Sequence, residues 1–294
     1  MHRDDIDATL ATKLVAEQFP QWAELPVRPV DLSGWDNRTF RLGDELLVRM
    51  PSAAAYVASV EKEHTWLPRL APQLPVRIPE SVALGAPGAG YPWPWSVRRW
   101  IAGRPAEQSR IPDLTAFGQD LAGFLVALMN VDPTGGPAAG AHNFHRGGPP
   151  AFYDGETRDA LVTLAGQVDA AAATSVWDAA LSATWTGDPV WFHGDVAFGN
   201  LLVDDAGRLT AVIDFGTSGV GDPACDLVVA WTLLDAPARA AFRAAMPADD
   251  AMWARARGWA LWKGLITLAA PDAVRWHAES ARVVDLVLAE HADV

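Results

Sequence analysis

Four polar side chains at the ends of short apolar segments are the residues of this sequence best suited to chemistry. They are His193, Asp195, Asn200 and Asp214, within the stretch WFHGDVAFGNLLVDDAGRLTAVIDFG of residues 191–216. Its apolar runs PVWF, NLLV and LTAVI are bounded by turn signals, which indicates short strands. Carboxylate and amide oxygens are the ligands that Mg²⁺ prefers. The pattern suits phosphoryl transfer, where one group orients the attacking oxygen and two hold a metal against the phosphates.

The order of these residues resembles the catalytic and metal-binding loops of the protein-kinase-like fold. The motif reads H-G-D-x-x-x-x-N and is followed by I-D-F-G, with Gly194 where protein kinases carry an arginine. Together with Gly221-Asp222-Pro223 and Asp226-Leu227 further along, it is similar to the aminoglycoside phosphotransferase family of small-molecule kinases.

This resemblance implies a role for each polar residue. Asp195 would orient the acceptor hydroxyl and take its proton, and Asn200 and Asp214 would hold Mg²⁺ against the phosphates. His193 and Asp226 would order the loop and do no chemistry.

The resemblance also implies an α+β, bilobal protein-kinase-like fold. An N-terminal five-stranded antiparallel sheet with a helix would be followed by a larger, mostly helical C-terminal lobe. Residues 1–100 would form the nucleotide-binding lobe, with a hinge near 97–103. Residues 104–294 would form the catalytic and substrate-binding lobe.

The residue patterns of the first lobe agree with this expectation. Helical spacing of apolar residues covers residues 4–19, and Ser52 is a candidate N-cap for a second helix that Pro68 would end or kink. Gly43 and Asp44 form a turn between two of five short strand-like segments, which read PVRPVDLS, NRTFRLG, ELLVRM, RIPESVALG and WPWSVRRWIAG.

The resemblance further assigns nucleotide contacts to the first lobe. The loop Ser33–Arg38 would cover the phosphates through Gly34 and Asn37, although an ordinary hairpin turn gives the same pattern. Arg49 stands where kinases place a lysine; it would grip phosphate oxygens, or else be a surface cation.

Two further positions complete the expected nucleotide site. Glu63 would pair with Arg49, whereas Glu61 would face solvent. In the hinge, Trp100 or Ile101 would pack on the base, or both are simply core residues of a strand. Backbone groups would hold that base, so ATP and GTP are not distinguished.

Helical patterns dominate the second part of the chain. A strong amphipathic stripe spans 114–128, and a helix is expected to begin at Asp222-Pro223. Four more helices are expected near residues 155–172, 175–186, 237–270 and 271–291.

Charge and composition restrict the class of partner. Of the 294 residues half are hydrophobic, and the net charge is −13. Residues 101–294 hold 24 acids against 12 bases. That excess opposes nucleic-acid binding, which needs Lys and Arg, and suits a cationic small molecule or a solvated acidic surface.

Other features of the composition concern location and assembly. A single cysteine, Cys225, excludes an internal disulfide and fits a reducing cytoplasm, where we expect it to be buried and inert. The acidic N-terminus does not resemble a signal peptide, and no apolar run is long enough for a membrane span. We expect a cytoplasmic monomer.

The acceptor stays open at this level. The family resemblance implies an antibiotic-resistance kinase for aminoglycosides or macrolides. A metabolic kinase of choline, homoserine, fructosamine or thio-sugar type is the alternative. A nucleotide-binding pseudokinase that regulates a partner is a third possibility. A protein kinase is disfavoured, because little chain separates Phe215 from Asp222 to act as an activation loop.

Overall fold

The chain divides into two compact units. The first comprises Met1–Gly103 with Ala211–Thr217, and the second comprises Arg104–Thr210 with Ser218–Val294. A short segment late in the sequence therefore packs as part of the first unit. The computed structural model describes residues 1–30, 34, 36–107 and 111–292.

A five-stranded antiparallel sheet organises the first unit, as predicted. Its spatial order places the fourth strand at the edge beyond the fifth, and every pairing is antiparallel. Gly43 turns the chain between the second and third strands with φ at 59°, a value that glycine adopts without steric cost. In chain order the strands are β1 (Val27–Pro29), β2 (Asn37–Leu42), β3 (Leu46–Pro51), β4 (Ser81–Gly85) and β5 (Trp95–Arg99).

The two faces of this sheet differ in chemistry. Val48 and Met50 of β3 join a buried core with helix α1 (Ala8–Gln18). Because side chains alternate along a strand, Arg49 lies on the opposite face. Ser96 of β5 is its partner in register, so Arg98, two residues further on, shares that polar face.

Helix α2 (Ala58–Leu70) begins later than expected and does not end at its proline. The Ser52 N-cap prediction is wrong, because a 3-10 turn, Ala54–Tyr56, precedes the helix. Ser52 Oγ instead donates to the carbonyl of Asp36 at 3.0 Å. The helix runs through Pro68 for two more residues and buries its last one, Leu70. That burial compensates for the hydrogen bond that a proline cannot donate.

The second unit is mostly helical, with short strands that frame the functional loop. None of the helices in the described part of the chain is long and apolar enough to span a membrane. The strands are β6 (Arg104–Pro105), β7 (Val190–Phe192), β8 (Leu201–Val203), β9 (Leu209–Val212), whose last two residues are counted with the first unit, and β10 (Gly219–Gly221). The helices are α3 (Leu114–Met129), α4 (Asp154–Thr163), α5 (Ala170–Ser182), α6 (Val229–Thr232), α7 (Ala236–Ala245), α8 (Asp250–Ala269) and α9 (His277–Ala292).

The single helix expected over residues 237–270 is wrong, because two helices occupy that range. Pro247 follows the end of α7, and Asp249 then caps α8 by accepting from the amide of Met252 at 2.7 Å. A proline followed by an aspartate N-cap is a break and a new start. The signal was present in the sequence.

The boundary expected between residues 155–172 and 175–186 is also misplaced. The chain leaves α4 at Thr163 and turns at Gly166, whose φ is 78°. Asp169 then caps α5, so the second helix begins five residues earlier than its apolar spacing suggested.

Candidate active site

The loop that carries Asp195 is held by its own backbone. The amides of His193 and Gly194 donate to the carboxylate of Asp226, at 2.7 Å to Oδ2 and 2.6 Å to Oδ1. The amide of Asp195 donates to His193 Nδ1 at 3.2 Å, and that imidazole is fully buried. These are the loop-ordering contacts expected of His193 and Asp226.

The anchoring carboxylate lies deep in the second unit. Asp226 is only 3% exposed, and burial raises its pKa, although the nearby His193 and the two amides act in the opposite direction. Burial also raises the pKa of the adjacent Cys225 thiol. A buried thiol with a raised pKa is inert, as expected for Cys225.

Asp195 and Asn200 meet at the solvent side of this loop. The side chain of Asp195 is exposed, and Asn200 Nδ2 donates to both its backbone oxygen and its Oδ2, each at 2.9 Å. The amide nitrogen of Asn200 is thus committed to Asp195. Its Oδ1 is left as the group of the side chain that can coordinate a cation.

Arg49 joins three groups within the first unit. Its guanidinium, 11% exposed, contacts Glu63 Oε1 at 3.2 Å and hydrogen-bonds Asp214. With the amide of Asn37 oriented to satisfy its surroundings, Asn37 Oδ1 accepts from Arg49 Nε at 3.1 Å and Nη2 at 3.0 Å. Burial alone would lower the pKa of Arg49, but Asp214 and Glu63 outweigh it and raise that pKa. Arg49 is a partly buried bridge between carboxylates.

Glu63 has a second and closer partner. Arg98 Nη1 and Nη2 donate to the two carboxylate oxygens of Glu63 at 2.9 and 2.8 Å, and Arg98 Nε donates to Ser96 Oγ at 3.0 Å. Burial alone would raise the pKa of Glu63, but Arg98 and then Arg49 outweigh it and lower the value to about 2. Glu63 is therefore a fixed anion shared by two arginines.

Asp214 follows strand β9 with an unusual backbone. Its φ is 67°, a left-handed value that non-glycine residues adopt infrequently and that aspartate tolerates better than most. Such conformations persist where the surrounding contacts enforce them, and they are frequent at functional sites. Here the carboxylate is 29% exposed and pairs with Arg49.

The expected lid residues Gly34 and Asn37 have different partners. Gly34 accepts a hydrogen bond from Arg3 Nη2 at its carbonyl, at 2.7 Å, and Asn37 begins β2. Ser33 and Trp35, also expected in the lid, lie outside the described residues.

The two hinge candidates have different surroundings. The amide of Trp100 donates to the carbonyl of Glu45 at 2.7 Å, and the guanidinium of Arg41 lies 4.1 Å from its ring centroid. One face of that indole is therefore covered by a cation. Ile101 is 8% exposed.

The sequence of the chain is characteristic of a known family. Residues 27–259 match the profile of the phosphotransferase enzyme family (APH). The chain belongs to this family. It is a phosphotransferase with an alcohol group as acceptor.

Solved structures share the fold of this phosphotransferase. The GDP complex of wild-type aminoglycoside 2'-phosphotransferase-IIIa gives a TM-score of 0.72 at 18% identity, over 97% of this chain and 99% of that one. Macrolide 2'-phosphotransferase MphH from Brachybacterium faecium gives 0.61 at 24% identity, over 94% and 97%. The streptomycin–ATP–APH(2")-IIa ternary complex gives 0.59 at 17% identity, over 89% and 90%. None of the curated proteins matches the chain in sequence.

Two cations of this phosphotransferase were missed by reasoning from sequence. One is Arg98; the other is Lys62, whose Nζ donates to the carbonyl of Gly216 at 2.7 Å. Burial lowers the pKa of Lys62 to about 8, against the opposing effects of Glu63 and Asp214. The only sequence signal was a lysine beside the expected glutamate and a double arginine at the end of a strand.

Asp214 and Asn200, taken separately, each carry oxygen donors of the kind that Mg²⁺ prefers. Asp214 offers carboxylate oxygens and Asn200 offers Oδ1, and Mg²⁺ is held in proteins by one or two such groups plus phosphates and water. Among the described residues, no three His, Cys, Asp or Glu side chains gather as a metal site.

Proposed function

We propose that this phosphotransferase is a small-molecule kinase that transfers the γ-phosphoryl group of ATP or GTP to a hydroxyl of an antibiotic. The observation that carries the proposal is the exposed Asp195, on a loop whose backbone is anchored by buried Asp226. Family membership supports it, as do structural relatives described as aminoglycoside and macrolide phosphotransferases.

In the proposed reaction, Asp195 acts as the base. Its carboxylate accepts the hydroxyl proton while the hydroxyl oxygen bonds to the γ-phosphorus. The bond from that phosphorus to its bridging oxygen breaks, and nucleoside diphosphate leaves. The anchored loop supports this role, because positioning is most of what such a reaction requires from a protein.

The remaining expected residues bind the nucleotide in this proposal. Asn200 and Asp214 would hold Mg²⁺, which neutralises phosphate charge when bound. Arg49 would grip phosphate oxygens. The nucleotide complexes of relatives, with GDP and with ATP, support nucleotide use.

Two parts of the first unit would receive the other portions of the nucleotide. Gly34 and Asn37 would lie over its phosphates, and Trp100 or Ile101 against its base. The backbone groups of this stretch would do most of the holding, so side-chain identity does not separate ATP from GTP.

The surroundings of the loop favour an acceptor with both an apolar face and an amine. Phe198, three residues after Asp195, lies 6.2 Å from the ring of Trp276, which is 38% exposed. Arg275 lies 5.0 Å from that same ring, and it disfavours a densely cationic acceptor at this spot. Residues 101–294 are nonetheless acidic. A macrolide, with one amine and large apolar faces, suits these features better than an aminoglycoside.

A coupled assay tests the proposal. Mg²⁺ with ATP or GTP is expected to raise the melting temperature, and a panel of aminoglycosides, macrolides, choline, homoserine, fructosamine and thio-sugars is screened for nucleoside-diphosphate release. Release with an antibiotic is the expected result. Release only with a metabolite would make the chain a metabolic kinase, and binding without release would indicate a regulator.

The state of the protein in the cell is also proposed. We take it to be a cytoplasmic monomer, so that light scattering of the purified chain is expected to give one species of monomer mass.

A further inference from the structure

The buried carboxylate of Glu63 is shared unequally by two arginines on the same sheet face. Arg98 is 3% exposed and binds both of its oxygens. Arg49 makes one longer contact, at 3.2 Å, with an oxygen that Arg98 already occupies. A bidentate arginine–carboxylate pair is the stronger and better-defined arrangement. Arg98, on β5, is thus the principal partner of Glu63.

This inequality matters when Arg49 exchanges partners. A phosphate-binding arginine must turn its donors from protein carboxylates to the nucleotide. If Arg49 were the sole counterion of Glu63, that movement would strand a buried carboxylate, which is strongly unfavourable. With Arg98 in place, Glu63 keeps two hydrogen bonds whatever Arg49 does.

We propose that Arg98 is a positioning residue for phosphoryl transfer, which holds Glu63 so that Arg49 is available to nucleotide phosphate. The inference rests on the proposed function, since it assumes that the first unit binds a nucleoside triphosphate. Arg98 acts through Glu63 and Arg49 and does not touch substrate.

The proposal makes the effect of Arg98 depend on the charge of Glu63. In Arg98→Met, Arg49 becomes the only arginine beside the buried Glu63 carboxylate. The carboxylate then holds Arg49 and makes it less available to nucleotide phosphate. In a Glu63→Gln background no such anion exists, so that the loss of Arg98 has no further effect on Arg49. A purely architectural Arg98 would lower stability in both backgrounds and leave the affinity of the folded protein unchanged.

Calorimetry with a non-hydrolysable triphosphate analogue and Mg²⁺ tests the proposal on the full chain, beside KM and kcat for the nucleotide. Arg98→Met is expected to raise the analogue Kd and the nucleotide KM by about tenfold, with a smaller fall in kcat. Arg98→Lys keeps the charge but loses the two-pronged geometry, so a smaller rise in Kd is expected. In the Glu63→Gln background, Arg98→Met is expected to change Kd by less than about twofold.

The matched control is the neighbouring arginine. Arg99 is half-exposed and pairs with Glu45 and Glu80, so Arg99→Met is expected to leave Kd unchanged. Melting temperatures establish that each variant is folded, and Arg98→Lys carries the test if Arg98→Met is not.

Three results would overturn the inference. Unchanged Kd in the folded Arg98 variants would reduce Arg98 to a structural residue. An equal loss with and without the Glu63 charge would mean that Arg98 acts independently of Glu63. A wild-type chain that binds no triphosphate would overturn the proposed function and this inference together, whereas wild-type binding with unaltered Arg98 variants overturns the inference alone.

Discussion

Two regions of the molecule position their side chains by different means. One is the loop of residues 193–200, which carries the proposed base Asp195 and is called the catalytic loop. The other is the charge cluster of Arg49, Lys62, Glu63, Arg98 and Asp214. The catalytic loop is fixed by backbone amides that donate to one buried carboxylate, Asp226. In the charge cluster, Arg49, Glu63, Arg98 and Asp214 are fixed by side chains that pair with one another, and Lys62 donates to the backbone carbonyl of Gly216.

This difference has a functional meaning. Backbone hydrogen bonds hold a loop in one conformation, so the proposed base Asp195 would keep its position when a ligand binds. Ion pairs can exchange partners, because an arginine that binds a carboxylate can equally bind a phosphate. The catalytic loop therefore suits a fixed chemical group, and the charge cluster suits a ligand that is highly charged and must enter and leave.

The largest expected effect separates the two regions by kinetics. Asp195→Asn is expected to lower kcat by roughly 10³-fold, because the proton acceptor is lost, and to leave nucleotide affinity nearly unchanged. Arg49→Met is expected to do the reverse, with affinity about tenfold weaker. Diphosphate release and analogue calorimetry measure the two quantities. Equal effects of both variants on nucleotide affinity would contradict the proposed roles of Asp195 in chemistry and Arg49 in nucleotide binding.

A second substitution tests whether the backbone anchor stabilises the fold. Asp226→Ala leaves two buried amides without an acceptor and is expected to reduce the free energy of unfolding by roughly 2–4 kcal/mol. The control is Asp235→Ala, which removes one exposed helix cap and is expected to cost about 1 kcal/mol. Urea denaturation measures both, and similar losses for the pair would contradict the anchoring role.

The charge cluster has its own signature in acid. The pKa of Glu63 lies near 2 in the folded protein against 4.5 ordinarily, so between these values the unfolded chain binds more protons. The free energy of unfolding therefore falls as pH drops through that window. The stabilising contribution of the Glu63 charge is complete only above it. Glu63→Gln is expected to flatten this part of the profile. A variant with the wild-type slope would show that Glu63 is not the group responsible.

The smallest expected effect concerns an exposed ion pair, which serves as the reference for the buried pairs of the charge cluster. Lys13 and Glu17 lie one helical turn apart on α1 at 3.9 Å, and both are largely exposed. Lys13→Ala is expected to change the free energy of unfolding by less than about 0.5 kcal/mol. A loss of stability as large as that expected for a buried ion pair would contradict the distinction between the charge cluster and exposed ion pairs.

The short strands before and after the catalytic loop were predictable because their information is local. Short spacings separate the polar residues His193, Asp195, Asn200 and Asp214. Apolar runs bounded by turn residues indicate the strands near them. The five-stranded sheet followed from similar signals. Asp226 was also anticipated, since the motif that follows the loop places it in order.

The charge cluster was only half predictable, because its pairs are long-range. Glu63 and Arg98 are 35 residues apart, and nothing local distinguishes Arg98 from the exposed Arg99 beside it. Only the register of β3 against β5, with Arg49 opposite Ser96, decides which arginine turns toward α2. Register is set by the hydrophobic pattern of the whole sheet, which one residue pair does not reveal.

Some predicted helix boundaries were wrong for a different reason. Serine is a residue type favoured at N-caps, but the hydroxyl of Ser52 donates to the backbone carbonyl of Asp36. This tertiary contact outweighed the local propensity. Between α7 and α8, the proline and aspartate at 247 and 249 did signal a break, and apolar spacing alone obscured it.

Gly194 limits which loops this chain can acquire by single substitutions. It is buried with φ at 87°, and a side chain there would impose a left-handed penalty of roughly 1–2 kcal/mol beside the amide that Asp226 binds. An arginine at this place, as protein kinases carry, would therefore have to compensate for that cost by new side-chain contacts or by a different backbone conformation of the loop.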